Sequence, residues 1–305
     1  MRVLIIGNSE TTTNSDDYFG RYAAFFREAA AGAGEQVDVQ CTLFDDLYIA
    51  VGDGAFDVYD TRNDCELREY QVIFLRGAGF RQYYDVIKTI SVYAQRHGVQ
   101  SVNDYSSFRD SSKLTQAVQF YAQDMPIAQT VYVTEAVLAG KRALTFDFPC
   151  ILKATFGSHG NDNYLVNSME EVRDIVARSK PKKFVLQRFV PNERDYRILI
   201  IGDEMAVIER TAAGDSHLNN TSQGASANLV PIDTLPPEII AASRKIAQAL
   251  QLSTAGVDAL ADKNTGKFYF LEVNAQPQLM TGAFLDVKSQ MIGRFLQASL
   301  KKHSV

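Results

Sequence analysis

Three oxygen-bearing side chains near the C-terminus, Asp258, Glu272 and Asn274, carry the sharpest chemical signal in the chain. They lie in two strand-like runs, Gly256–Asp262 and Lys267–Asn274, joined by a short polar connection. If Asn264-Thr265-Gly266 is a three-residue hairpin loop, Gly266 takes the left-handed position and Lys263 faces Lys267. That register sets Asp258 directly opposite Glu272. The strand period puts Glu272 and Asn274 on one face, with Tyr269, Leu271 and Val273 turned the other way into packing. Opposed carboxylates repel. With an amide oxygen alongside they suit a hard divalent cation such as Mg²⁺, typically bound through one or two carboxylates plus substrate phosphates. The same pattern also describes a solvated, charged hairpin face.

Lys153 closes the apolar run Cys150-Ile151-Leu152 and is followed by Gly157-Ser158-His159-Gly160. Glycines let backbone N–H groups approach phosphate oxygens, and an ammonium neutralises their charge. The spacing is not a Walker A motif, and a polar strand-to-strand turn would read the same way. Arg197 and Arg210 both fall inside strand-like runs, where charges are uncommon unless partnered. Arg210 suits a transferring phosphoryl group or acyl phosphate, or else a structural ion pair with Asp195 or Glu209. Asn219 and Asn220 follow in a loop and also fit plain turn residues.

The elements that must position these groups divide the chain. Over the first 105 or so residues, strands at Arg2–Ile6, Val37–Phe44 and Val72–Arg76 alternate with helices at Tyr18 to about Ala31 and Tyr84–His97, which predicts an open α/β layer. Gly7-Asn8-Ser9-Glu10-Thr11-Thr12 lacks two glycines of the dinucleotide fingerprint, so Asn8–Asp17 reads as a polar loop. Next come a helix at Ser112–Gln123, strands at Gln129–Val133, Phe148–Ala154 and Phe184–Phe189, and a helix at Ser168–Ser179 with Ser168 and Glu171 as a capping box. Strands at Asp195–Ile201 and Glu204–Arg210 are joined by Gly202-Asp203. A helix with Ile239, Ile240, Ile246, Ala247 and Leu250 on one face, the hairpin above and a helix near Phe284–Leu300 complete the chain.

Composition narrows the class. The 305 residues are 46% hydrophobic and 22% charged, an ordinary globular balance at a length that favours two domains. A formal charge of −5 gives a nucleic-acid partner no electrostatic support. No apolar run is long enough for a membrane helix, and the N-terminus lacks a secretory pattern. Three widely spaced cysteines fit a reducing compartment. The expectation is a cytoplasmic enzyme with neither a membrane nor a nucleic-acid partner.

Taken in order, the motifs resemble the ATP-grasp superfamily, specifically its RimK-like carboxylate–amine ligases. The resemblance runs through VIFLRGAGF, VNDYSSFRDSSKL, ILKATFGSHG, LQRFVPNERDYRILIIG, IERTAAGDSHLNN, AGVDAL and FLEVNAQPQ. It implies an α/β fold with α+β lobes, in which an open α/β pre-ATP-grasp domain (1–107) precedes an ATP-grasp N-terminal lobe (108–184) and a C-terminal lobe with the magnesium site (185–305). Carried over by motif, Asp258, Glu272 and Asn274 would hold two Mg²⁺ ions, with Mn²⁺ as a substitute, bridging the phosphates of ATP. Lys113 and Lys153 would contact phosphates, with Gly157, Ser158 and Gly160 in a lid that continues through Asn161-Asp162-Asn163-Tyr164. Gln187 and backbone groups of Arg188 and Phe189 would line the adenine site, and Asp195 would touch the nucleotide. Arg210 and Asn219 would be catalytic, facing the reacting phosphate. Arg188 stands where an acidic residue is usual, and His217 where an arginine is common.

The implied reaction is amide formation through an acyl phosphate, releasing ADP and phosphate, with an amino acid, peptide or protein as acceptor. The resemblance also implies a homo-oligomer, for which the chain carries no readable signal. A kinase on the same fold, and a nucleotide-binding protein without chemistry, are the competing readings.

Overall fold

The computed structural model describes residues 1–8, 15–76, 81–106, 112–156, 162–211 and 226–303. The first layer contains β1 (Arg2–Gly7), α1 (Ser15–Gly32), β2 (Asp38–Leu43), β3 (Leu47–Gly52), β4 (Ala55–Asp60), β5 (Cys65–Glu66), β6 (Val72–Leu75), α2 (Tyr84–His97) and β7 (Gln100–Val102). Strands β2-β1-β6-β7 form a parallel sheet. Val3, Leu4, Ile5 and Ile6 are all fully buried, as a strand covered on both faces requires. Val3 and Ile5 pack with α1, whereas Leu4 and Ile6 pack with the residues of α2. The expected α/β layer is therefore present. It also carries a small antiparallel sheet, β3-β4-β5, beyond the expected strands. The β3–β4 turn is Asp53-Gly54, both with positive φ (49° and 82°).

The second region holds α3 (Lys113–Ala122), β8 (Thr130–Tyr132), α4 (Glu135–Leu138), β9 (Cys150–Ala154), β10 (Asn163–Val166), α5 (Met169–Arg178) and β11 (Phe184–Arg188). Its antiparallel sheet runs β10-β9-β11-β8. Asn163 pairs with Lys153 and Tyr164 with Leu152, so these two residues begin a strand and do not extend a lid. The α5 cap is half of the expected box. The Ser168 hydroxyl accepts from the Glu171 N–H, but the Glu171 carboxylate accepts from the Asn167 N–H, one residue earlier.

The third region holds β12 (Arg194–Ile201), β13 (Glu204–Thr211), β14 (Ser226–Val230), α6 (Pro237–Ala249), β15 (Thr254–Ala261), β16 (Phe268–Asn274) and α7 (Leu285–His303). Its sheet order is β14-β13-β12-β15-β16. Helix α7 returns to the first layer and packs on α1. A Cβ on Gly293 would lie 2.2 Å from the Ala29 carbonyl oxygen, so only glycine permits this approach. Leu199, Ile201, Met291, Ile292 and Leu296 join Val3, Ile5 and Phe26 in one core, fastening the third region to the first.

Candidate functional site

Asp258 and Glu272 are direct partners across β15 and β16, as expected, but the reason differs. The connecting loop is one residue longer: the Asp262 N–H donates to the Lys267 carbonyl, and Ala259 pairs with Phe270. A β-bulge between Asp258 and Ala259 restores the offset, so Asp258 meets Glu272 and Gly256 meets Asn274. The bulge also divides the side chains. Phe268, Phe270 and Val273 join the core beneath α6, whereas Tyr269 and Leu271 pack with Ala128, Val190 and Leu260. Val273 therefore does not share a packing cluster with Tyr269 and Leu271.

A row of charges crosses the sheet at this level. Arg197 pairs with Asp258 across β12 and β15, and Asp195 pairs with Arg210 across β12 and β13. The Arg197 guanidinium donates through Nε and Nη2 to the two oxygens of Asp258, both at 2.7 Å. Arg210 donates to Asp195 at 2.6 Å, and its Nη2 lies 3.1 Å from Asp258. Burial pushes the Asp258 carboxyl up, but the two arginines outweigh it and hold the group at about 2. Burial, reinforced by the Asp258 charge, pushes Asp195 up to about 7 against the pull of Arg210 and Arg197. Both aspartates draw on the Arg210 guanidinium, and Asp258 has the bidentate Arg197 in addition.

The second region supplies the facing cations. The Lys113 N–H donates to the Thr155 carbonyl at 3.0 Å, which ties the start of α3 to the end of β9 and brings Lys113 towards Lys153. Lys113 Nζ lies 3.3 Å from Glu272 Oε2. Lys153 donates to Gln187 Oε1 at 2.8 Å, and Gln187 Nε2 donates to the Thr130 hydroxyl at 2.9 Å. Burial first, then the nearby Lys113, lowers the Lys153 ammonium to about 8, with Glu272 opposing. Lys113, Lys153, Gln187 and Thr130 line a recess with Phe120, Val185 and Leu271.

Arg188 has its backbone N–H committed to the Gln129 carbonyl at 2.9 Å. Its guanidinium stacks 5.1 Å from the centre of the Tyr269 ring, which accounts for a cation where an acidic residue is usual. Phe189 follows in the connection to β12. Gly157, Ser158, Gly160, His217 and Asn219 lie outside the described residues, as does most of Asn8–Asp17.

Two residues with no role in the sequence reading hold this arrangement. Asn103, with φ of 65° and almost fully buried, donates to the carbonyls of Thr254 and Ala275 and accepts from the Thr254 N–H. It thereby joins the ends of β15 and β16. The Gln116 side chain exchanges hydrogen bonds with the backbone of Val273, pinning β16 to α3. A polar residue at each position looks like an ordinary turn or helix residue until the tertiary partner is known.

The donor chemistry fits Mg²⁺ narrowly. Among the described residues no cluster of three His, Cys, Asp or Glu is placed to hold a metal. Asp258 accepts three N–H groups, leaving one of the roughly four lone-pair sites of a carboxylate. Glu272 is 36% exposed and accepts only from Lys113 among the described residues. The Asn274 amide oxygen accepts from the Gln276 N–H at 2.8 Å, with a second lone pair available. The set can bind a cation that brings its remaining ligands with it.

Residues 115–294 match the description of the RimK-like ATP-grasp domain. The tetrahydromethanopterin:alpha-L-glutamate ligase of Methanosarcina acetivorans is 26% identical over 233 residues, 66% of this chain and 68% of that protein. Mitochondrial pyruvate carboxylase of Mus musculus is 28% identical over 148 residues, 44% of this chain but only 12% of that protein's length. Among solved structures, the ATP-grasp ligase PsnB, complexed with a phosphomimetic variant of a minimal precursor, Mg and ADP, superimposes with a TM-score of 0.69 at 14% identity, covering 98% of each chain. That identity bears on the fold alone. With the matched domain spanning more than half of its length, the chain belongs to the RimK-like ATP-grasp family.

Proposed function

We propose that the chain is an ATP-dependent carboxylate–amine ligase acting on an amino acid or peptide through an acyl-phosphate intermediate. In this reading residues 1–107 form the pre-ATP-grasp domain, 108–184 the N-terminal lobe and 185–305 the C-terminal lobe. The observation that carries it is the meeting of two incomplete sets. Two lysines, one of them part-buried against a neutral amide, face a carboxylate row with little coordination left over. Each set lacks what a metal–polyphosphate brings: anionic oxygens for the lysines, and a ligated cation for Glu272 and Asp258. The magnesium and ADP of PsnB and the glutamate ligase activity named for the methanogen relative are consistent with this.

Lys113 and Lys153 would neutralise phosphate oxygens and reduce repulsion between an anionic nucleophile and the nucleotide. Gln187, held by Lys153 and Thr130, borders the base, with backbone atoms of Arg188 and Phe189. Asp258, Glu272 and Asn274 would hold Mg²⁺, which when bound supplies further charge neutralisation at the phosphates. Arg210 is 5% exposed and bonded to Asp195 and Asp258, so its role here is to position Asp258. The substrate carboxylate attacks the γ-phosphorus as ADP departs. An amine then attacks the acyl carbon, phosphate leaves, and the amide remains. Holding the reactants in line supplies most of the acceleration.

The test is a hydroxamate trap. The protein is incubated with Mg²⁺, ATP, hydroxylamine and pools of amino acids and short peptides. Hydroxamate formed in step with ADP supports the ligase, and the trapped acid names a substrate. A stable phosphorylated product with no need for an amine would replace it with a kinase.

A further inference from the structure

Lys288 has no part in the assembly described so far. It is the fourth residue of α7 and only 5% exposed. An ammonium has three N–H donors. One is used here, donating from Nζ to the Thr281 carbonyl oxygen at 2.8 Å. Among the described residues no carboxylate pairs with it, and the charged group acting on it is another cation, Arg197. Buried charges are as a rule paired and their donors satisfied, because desolvation is otherwise uncompensated. Lys288 meets neither condition. Burial, and then Arg197, lowers its pKa to about 8, so it remains protonated at neutral pH.

The surroundings place this cation beside the candidate site. The segment after Asn274 runs between Arg197 on β12 and Lys288 on α7. At one end, a Cβ on Gly256 would sit 3.4 Å from Arg197 Cδ and 3.5 Å from Pro277 Cβ. At the other, a Cβ on Gly282 would sit 3.0 Å from Gln278 Oε1 and 3.8 Å from Lys288 Nζ. Gly282 has a φ of +78°, and Thr281, Gly282 and Ala283 are exposed. Arg197 binds Asp258 through Nε and Nη2, its Nη2 also lies 4.0 Å from Glu272 Oε1, and among the described residues Nη1 makes no hydrogen bond. Two cations with spare donors thus flank a solvent-facing turn that leads directly from the metal-type strand.

We propose that Lys288 and Arg197 flank a carboxylate-binding subsite at the β16–α7 connection, in which Lys288 donates its two remaining N–H groups to the acid substrate. The subsite deepens the ligase reading and rests on it, since it supplies the cation that would hold the acid near Glu272. It selects for an anionic oxygen pair over an amide or ester, which would leave the buried charge unpaired.

Glutarate serves as a probe, carrying carboxylates but no amine. Calorimetric titration into full-length protein saturated with MgADP is expected to show binding that weakens at least tenfold in Lys288→Met and stays within threefold of wild type in Lys288→Arg. MgADP affinity should be the same in all three. Lys288→Gln, which keeps hydrogen bonding and loses the charge, gives a second reading should the methionine variant fold poorly, and is also expected to weaken glutarate at least tenfold. Equal affinity in wild type and the uncharged variants, or no glutarate binding by wild type, overturns the subsite. The titration is repeated without nucleotide. Lys288-dependent glutarate binding in a protein that fails to bind MgADP would uphold the subsite while removing the nucleotide reading.

Discussion

On β12 and β13 the cations are arginines committed to carboxylates: Arg197 grips Asp258 with two hydrogen bonds, and Arg210 bridges Asp195 and Asp258. On β9 and at the start of α3 they are lysines, one bonded to the neutral side chain of Gln187 and the other 3.3 Å from a half-exposed glutamate. Guanidinium forks lock geometry, whereas an ammonium is a compact point charge on a flexible stem. One region is therefore a finished electrostatic frame and the other an unfinished one. Stability should therefore reside in the arginine row and nucleotide affinity in the lysine pair.

Substitutions can break that division. Glu272→Ala, at the junction of the two sets, should lower turnover by roughly a thousandfold or more while leaving the melting temperature within a few degrees. A near-normal rate would remove the metal reading. Asp258→Asn leaves the buried Arg210 and the part-buried Arg197 short of a counter-charge. It should cost about 3–5 kcal/mol of stability, measured as a shift in urea midpoint. Lys153→Met should weaken MgADP by about ten- to a hundredfold, the worth of a charge-assisted hydrogen bond or two, with no loss of thermal stability. If this variant were destabilised as much as Asp258→Asn, the contrast would fail.

Acidity sharpens the same contrast. Lys153, lowered from 10.5 to about 8, is charged below that value. ADP affinity should fall as pH rises above about 8, at a pH displaced upward by the bound phosphates, and Lys153→Met should flatten the profile. Its effect on folding has the opposite sense. The folded pKa lies below the unfolded one, so the penalty of burying the charge is full below about 8 and is relieved as pH rises towards 10.5. The smallest effect belongs to Arg188→Ala, which removes the stacking on Tyr269. It should cost about 0.5–1 kcal/mol in thermal unfolding.

The aliphatic run of β1, the α2 span and the Ser168 cap were legible because each depends on local patterning. The facing of Asp258 and Glu272 was legible too, although the bulge that produces it was not. One residue more in the loop and one more in β16 cancel, so a simpler register gives the same pairing at Glu272 and the wrong face at Val273. The β3–β4 hairpin had its signal in Asp53-Gly54, the dipeptide that favours a tight turn, between alternating residues. Asn103, Gln116 and Lys288 were illegible for another reason. Their partners lie 157 and 151 residues away for Gln116 and Asn103, and Lys288 near a helix start reads as a solvated charge until α7 is docked. Long-range hydrogen bonds leave no periodicity to read.

The ligase reading requires the lysine pair and the carboxylate row to act together on a nucleotide to join an acid to an amine. Chromatographic identification of the nucleotide product, with the acid found by trapping and its amine partner both present, tests it most directly. ADP and phosphate are expected in equal amounts, formed at a rate that depends on the amine. AMP with pyrophosphate, or ADP release indifferent to the amine, would contradict it.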